Sequence, residues 1–277
     1  MAKSAVYSKE FFETRKTDIR LSATTLVPIV LEYVHPQSVI DVGCGTGEWL
    51  QAFQENAATD IFGIDGAYVD RNLLVIPQDK FIALDLSKPF TFDRTYDLVI
   101  SLEVAEHIAP EGASSFIQSL TQLAPVILFS AAIPLQGGTH HVNEQWPDYW
   151  VKLFKARGYV PVDALRKRIW SNRNIEFWYR QNVMFFCTEQ YLSRNSTLEQ
   201  EYRATNMDML SLVHPDMYML KYISPGKSPL ALTLSLPKRA ARKIYCSFQK
   251  SSTPRLWLGA CAKPVLATGL RREQLRD

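Results

Sequence analysis

The sequence predicts an α/β fold, a doubly wound and mainly parallel sheet flanked by helices. Three observations predict it. Short apolar runs with strand character alternate with helix-period segments from Ser38 to Cys187, the rhythm of consecutive βαβ units. The first such run, residues 38–42, passes directly into Gly43-Cys44-Gly45-Thr46-Gly47, with glycine at three alternate positions. The next three runs end against carboxylates, at Asp65, Asp85 and Glu103. With 277 residues, 47% of them hydrophobic, the chain can bury one sizeable core.

Taken in order, residues 8–34 read as a helix, with Phe11, Phe12, Ile19, Leu21, Leu26, Ile29, Val30 and Tyr33 as candidate apolar positions. His35-Pro36 ends it, because a residue before proline avoids the helical region. Residues 38–42 form a short buried strand, and 47–53 open a helix. Further strands are expected at 60–64, 80–84, 96–102 and 125–132, with a helix at 111–123. Trp146, Tyr149, Trp150, Leu153 and Phe154 recur on one helical face, a spacing that places Trp146 with the core. Pro147 suits the first turn and Gly158 the C-terminal cap. Residues 159–162 and 181–187 read as a final antiparallel hairpin. Residues 192–220 read as helices, and from Ser224 on Pro, Ser and Lys/Arg dominate, so weak packing is expected there. The expected organisation is a helical segment over 1–37, an α/β domain over 38–190, a helical extension over 191–223 and a basic tail over 224–277.

Charge is unevenly spread. Eleven Lys and Arg against two Asp and Glu follow from Pro225 to the end; of the totals of 31 and 28, this leaves 20 basic and 26 acidic residues before it. An acidic body is a poor surface for phosphates, so nucleic acid is not an expected partner. The tail reads as a solvated segment, with weak contact to an anionic membrane surface as the other option. MAKSAVYSKE carries charges where a signal peptide needs an apolar run. No stretch approaches the roughly 18 apolar residues of a membrane span. Cys44, Cys187, Cys246 and Cys261 form no CxxC pair and read as reduced thiols. A cytoplasmic location is expected.

A strand that runs through a glycine loop into a helix brings bare backbone to a ligand at the carboxyl edge of the sheet. A dinucleotide would need glycine where this chain has Glu48, and a carboxylate at the helix start opposes a pyrophosphate. Glu48 argues for a ligand without phosphates that carries positive charge. Asp65 can accept from both hydroxyls of a ribose, and Asp85 from an adenine amino group. An adenosine with a charged, non-phosphate extension describes S-adenosylmethionine.

VIDVGCGTG (39–47), IFGIDG (61–66), ALDL (83–86) and YDLVISLEVAEHI (96–108) together resemble the class I S-adenosylmethionine-dependent methyltransferases, over roughly residues 39–187. The resemblance implies a Rossmann-like methyltransferase fold, a seven-stranded, mostly parallel sheet whose last strand is antiparallel. It also implies that Asp41, Gly43, Gly45 and Gly47 surround the methionine part of the cofactor and that Asp65 binds its ribose. Asp85 and Leu86 would contact adenine, and Leu102 would line the methionine end. Plain structural roles stand beside these: Asp41 pairing with loop amides, Asp85 capping a turn, Cys44 packing as a small residue.

Methyl transfer from a sulfonium is an in-line displacement that depends mainly on alignment and exclusion of water. A hydroxyl acceptor needs in addition a base, or a metal that lowers its pKa. Residues 103–107 and 138–144 hold three of the five histidines; His141 and His107 are the candidate bases. No metal is expected. The alternative is a ligand set of Glu103, Glu106, His107 and His140, similar to that of small-RNA 3′-terminal 2′-O-methyltransferases, whereas metal-free quinone-biosynthesis methyltransferases carry a similar stretch as a loop brace. GGTHHVNEQWPDYW (137–150) resembles bacterial methyltransferases of sugar and cell-surface glycan tailoring. In it Gly137-Gly138 gives a mobile loop, His140, His141, Asn143 and Glu144 suit a polyol, and Trp146 can stack on a sugar ring. In residues 170–182, Arg173, Asn174, Trp178, Tyr179 and Arg180 either close over the acceptor, an arginine binding an anionic group, or form a surface hairpin. The expected function is O-methylation of a sugar-like or other small acceptor. The alternatives are a metal-dependent RNA 2′-O-methyltransferase, an N- or C-methyltransferase of a small metabolite, and a non-catalytic cofactor-binding module.

Overall fold

Runs rich in Val, Ile and Leu that are buried on both faces belong at the centre of a parallel sheet, and two strands of this kind, β4 and β5, sit there. A computed structural model describes residues 9–222, so the expected weak packing of the tail over 224–277 lies outside the described residues. The elements run in the order α1 (Lys9–Leu31), β1 (Ser38–Val42), α2 (Glu48–Glu55), β2 (Asp60–Asp65), β3 (Phe81–Ala83), β4 (Leu98–Leu102), α3 (Pro110–Thr121) and β5 (Val126–Ser130). They continue with α4 (Pro147–Lys155), β6 (Tyr159–Val162), α5 (Arg166–Ile169), α6 (Phe177–Asn182), β7 (Met184–Thr188), α7 (Glu189–Leu192), α8 (Ser196–Ala204) and α9 (Pro215–Tyr222).

The strands form one seven-stranded sheet in the order β3-β2-β1-β4-β5-β7-β6. All pairs are parallel except those of β7, which runs antiparallel to both β5 and β6. The strand order reverses between β1 and β4, the topological switch point where open α/β sheets place their ligands, outside the carboxyl ends of the strands. Successive residues of a strand face opposite layers, and β1 shows it. Val39 joins Leu26, Val30, Trp49 and Phe53 of α1 and α2 on one side. Ile40 joins Phe116, Leu120, Trp150 and Phe154 of α3 and α4 on the other. Phe154 stacks on Phe186 of β7 at 3.9 Å, which fixes α4 against the antiparallel end of the sheet.

Several expectations need correcting. Leu21 is 46% exposed; the buried stripe of α1 is Ala23, Leu26, Val27 and Val30, spaced at i, i+3, i+4 and i+7. Trp146 is 41% exposed, because α4 begins at Pro147 and the helical spacing does not extend back to it. Residues 177–182 form α6, so β7 starts at Met184, and the segment is neither a strand nor a surface hairpin. β6 and β7 do pair antiparallel, but α5 and α6 lie between them in the chain.

Candidate active site

The glycine loop is shaped by backbone geometry. Gly43 and Gly47 have φ of 92° and 95°, a region that strains any residue with a Cβ. Both are also crowded: a methyl at Gly43 would come 2.3 Å from Val104 Cγ2, and one at Gly47 3.0 Å from Ile76. The amide of Gly43 donates to the Ile64 carbonyl at 2.8 Å, so the loop stays tied to the end of β2.

Three carboxylates line this loop. Asp41, Glu48 and Asp65 are exposed by only 3, 3 and 5%. Asp65 accepts from the amides of Gly45 and Gly66 at 2.7 and 2.6 Å and from the Tyr68 hydroxyl at 2.5 Å. It therefore faces the glycine loop and braces it, a structural duty the sequence does not announce. Glu48 accepts from Thr46 Oγ1 at 2.5 Å. Asp41 Oδ2 is buried with no hydrogen-bond partner. Burial, followed by the charges of Asp65 and Glu48, pushes the Asp41 carboxyl well above the usual range. A cationic ligand would relieve that cost, and an anionic one would add to it. Asp85 is exposed and accepts from the Ser87 amide and hydroxyl at 3.1 and 2.6 Å, so it does cap a turn. Leu86 and Leu102 are buried.

The second half of the site comes from the loops after β4 and β5. Val104, packed on Gly43, leads into a 3₁₀ turn over Ala105–His107. The amides of Val142 and Asn143 donate to the Glu106 carbonyl at 2.9 and 3.0 Å and stitch the two loops together. Glu106 is 0% exposed; burial, followed by the charge of Glu103, pushes its carboxyl well above the usual range, against hydrogen bonding from the backbone of Glu106 and Ala132. The rings of His107 and His141 meet edge to face at 4.9 Å. His107 Nδ1 lies 3.2 Å from the His140 carbonyl, and His141 Nδ1 lies 2.9 Å from Glu144 Oε1. Both partners are acceptors, so each ring is oriented by donating Nδ1–H to its partner. Glu144 also accepts from the amides of Leu135 and Gly137 at 2.8 and 2.6 Å, which ties down the loop that Gly137-Gly138 was expected to leave mobile. Gly138 lies against the His141 ring: a methyl there would come 2.1 Å from Nε2.

Glu103, with φ of 56°, turns its side chain elsewhere. Gln136 Nε2 and Asn182 Nδ2 donate to its two oxygens at 2.7 and 3.1 Å. Burial raises its pKa, while the hydrogen bonds from Asn182, Ser130 and Gln136 and the charge of His141 oppose the rise. His140 takes φ of 58°; its carbonyl, through His107, is what it gives to the cluster. The alternative ligand set thus separates: Glu106 and His107 meet His141, not Glu103 and His140. Gln136, Gln181 and Asn182 were not foreseen. Arg180 was, for an anionic acceptor, but it is buried, donating to Asp216 at 2.6 Å and to the Trp170 carbonyl at 3.0 Å. Arg173 and Asn174 are exposed and Tyr179 packs edge to face on Trp49. A surface cleft of about 430 Å³ is lined by Gln145, Trp146, Asp148, Tyr149, Lys152 and Ser211.

Residues 11–172, more than half of the chain, match a family of methyltransferase domains. Among curated proteins no sequence match is found. Among solved structures, DesVI of Streptomyces venezuelae is similar at 14% identity and a TM-score of 0.50, covering 68% of this chain and 99% of that one. The methyltransferase in complex with the Trm112 activator of Haloferax volcanii is similar at 14% identity and a TM-score of 0.50, with coverage of 67% and 96%. Magnesium protoporphyrin IX methyltransferase from Synechocystis PCC 6803, solved with bound SAH, is similar at 19% identity, coverage of 62% and 86% and a TM-score of 0.44.

Proposed function

The chain belongs to the methyltransferase-domain family, and we propose that it uses S-adenosylmethionine and that its acceptor is a hydroxyl of a small, sugar-like molecule. Asp41, Gly43, Gly45 and Gly47 would hold the methionine part of the cofactor and Asp65 the ribose. Asp85 and Leu86 would meet the adenine, and Leu102 the methionine end. When bound, the cofactor would supply a methyl carbon on a cationic sulfur, transferred to the acceptor oxygen with S-adenosylhomocysteine as the leaving group, and residues of this chain would have to take up the hydroxyl proton. The acidic surround of Asp41, Glu48 and Asp65 matches the positive charge of that donor.

The observation that carries the acceptor reading is the cluster of Glu106, His107 and His141 next to the glycine loop. An amine acceptor needs alignment alone, whereas a hydroxyl must also lose a proton. We assign that loss to this cluster, whose two imidazoles are each oriented by an acceptor at Nδ1, the His140 carbonyl for His107 and Glu144 for His141. Asn143 Nδ2, buried beside it without a partner, adds a donor for a polar acceptor. The cleft at Trp146 supports the sugar-like class, since an exposed indole flanked by Gln145, Asp148 and Lys152 offers a ring face with hydrogen-bonding groups at its edge.

The test is release of S-adenosylhomocysteine with hydroxyl acceptors (free sugars, polyols, glycosides) against matched amines. His141→Ala and His107→Ala should each lower turnover of the hydroxyl acceptor by about 10²–10⁴-fold and leave cofactor binding intact. Turnover of a hydroxyl acceptor that both variants retain in full, or wild-type turnover of amines with none of any hydroxyl, would refute the reading.

A further inference from the structure

We propose that the acceptor is amphipathic, a sugar hydroxyl carried on an alkyl chain, and that the chain lies on an apolar rim of Leu135, Val142, Met209 and Val213 beside the cleft at Trp146. Among the described residues eight large hydrophobic side chains are exposed, and these four with Trp146 make five of them. All five stand on two segments that bound the site, the loop after β5 and the stretch before α9. The loop is tied to the histidine cluster. The Leu135 amide donates to Glu144 at 2.8 Å, the Val142 amide to the Glu106 carbonyl at 2.9 Å and the Gln145 amide to the Ala132 carbonyl at 3.2 Å.

The stretch before α9 borders the same cleft. Leu210 and His214 are buried and anchor it, which leaves Met209, Ser211 and Val213 at the surface. Ser211 lines the cleft with Trp146, so Met209 and Val213 flank it at two residues' distance. The His214 amide donates to Gln181 Oε1 at 2.7 Å, and Gln181 Nε2 donates to Gln136 Oε1 at 3.1 Å, next to Leu135. Leu135 itself takes φ of 68°, a left-handed conformation that bulky side chains avoid, and is 77% exposed. Backbone strain held in place by its surroundings gathers at ligand-binding sites, and apolar side chains massed at the surface mark binding grooves. A polar cluster bordered by such a rim fits a molecule with a hydroxyl at one end and hydrocarbon at the other. A free sugar would leave the rim in water.

The inference deepens the hydroxyl reading and rests on it for its chemistry, but binding is measured without turnover. The probes are methyl and n-octyl glucoside, the latter kept below its micelle concentration, titrated by calorimetry into full-length protein loaded with S-adenosylhomocysteine. The octyl compound should bind at least about tenfold more tightly than the methyl one, with a more negative heat-capacity change, and KM should follow the same order. Leu135→Asn removes the apolar surface with a residue that tolerates the left-handed turn. This change and Val213→Ser should each lower the octyl-to-methyl ratio at least about threefold while binding of S-adenosylhomocysteine is kept. Should Leu135→Asn lose that binding, and so its fold, Val213→Ser and Met209→Ser decide the matter. Equal affinity for the two glucosides, binding of neither, or a ratio untouched by these variants would overturn the rim. So would a dimer, or uptake on neutral lipid vesicles, that Leu135→Asn abolishes in protein without an octyl preference, because the rim would then belong to a second copy or to a membrane. Octyl preference without turnover of any hydroxyl sinks only the acceptor reading; hydroxyl turnover that ignores chain length sinks only the rim.

Discussion

Gly43 carries two constraints in one position, a left-handed φ of 92° and contact with Val104. Gly43→Ala should cost about 1–3 kcal/mol of stability, read from urea unfolding. Adding Val104→Ala should recover only the part due to crowding, because the strained φ remains. Asp41 makes a second test. Its pKa is raised by burial and by Asp65 and Glu48, so the fold holds the proton more tightly than the unfolded chain does. Its contribution is therefore whole below the unfolded value of about 4 and is lost as pH rises through the folded value. Asp41→Asn removes that decline. In cofactor-free protein the thermal midpoint of the variant should gain on that of the wild type from about pH 4 to neutrality; a constant difference would show that Asp41 does not titrate between the two states.

Elements bring together what sequence separates. Asn182 closes α6, Gln136 follows β5, and their amides converge on Glu103 after β4. Asn182→Ala should leave Glu103 and Gln136 short of a donor and cost about 1–3 kcal/mol. A double-mutant cycle with Gln136→Ala should show the two losses to be non-additive. The strands were legible because β4 and β5, buried on both faces, read as unbroken apolar runs, and the glycine loop was legible because its spacing is set by backbone. α6 was not: FWYRQN is too short to display a helical stripe, and its aromatic content reads as strand. The Glu103 network was not, since amides placed by loops at long sequence separation leave no periodic mark. Likewise nothing in His140-His141 says which ring turns inward; that follows from the backbone turn at His140 and from Glu144.

At the scale of the whole molecule the sheet order puts both halves of the site at one edge, where β1 and β4 diverge. Among the described residues no helix is long and apolar enough to cross a membrane. The acidic loop around Asp41 gives the site its preference for a cation, and occupancy should stabilise the whole fold. At a cofactor concentration about 100 times Kd the gain is ~2.7 kcal/mol, a rise of about 5–11 °C in the thermal midpoint for a domain of this size. The most direct measurement is calorimetric titration of S-adenosylmethionine into wild-type and Asp65→Ala protein. Saturable binding at one site per chain, weakened at least about tenfold (~1.4 kcal/mol) by the substitution, is the predicted result. No heat of binding from folded wild-type protein, or equal affinity in Asp65→Ala, would contradict it.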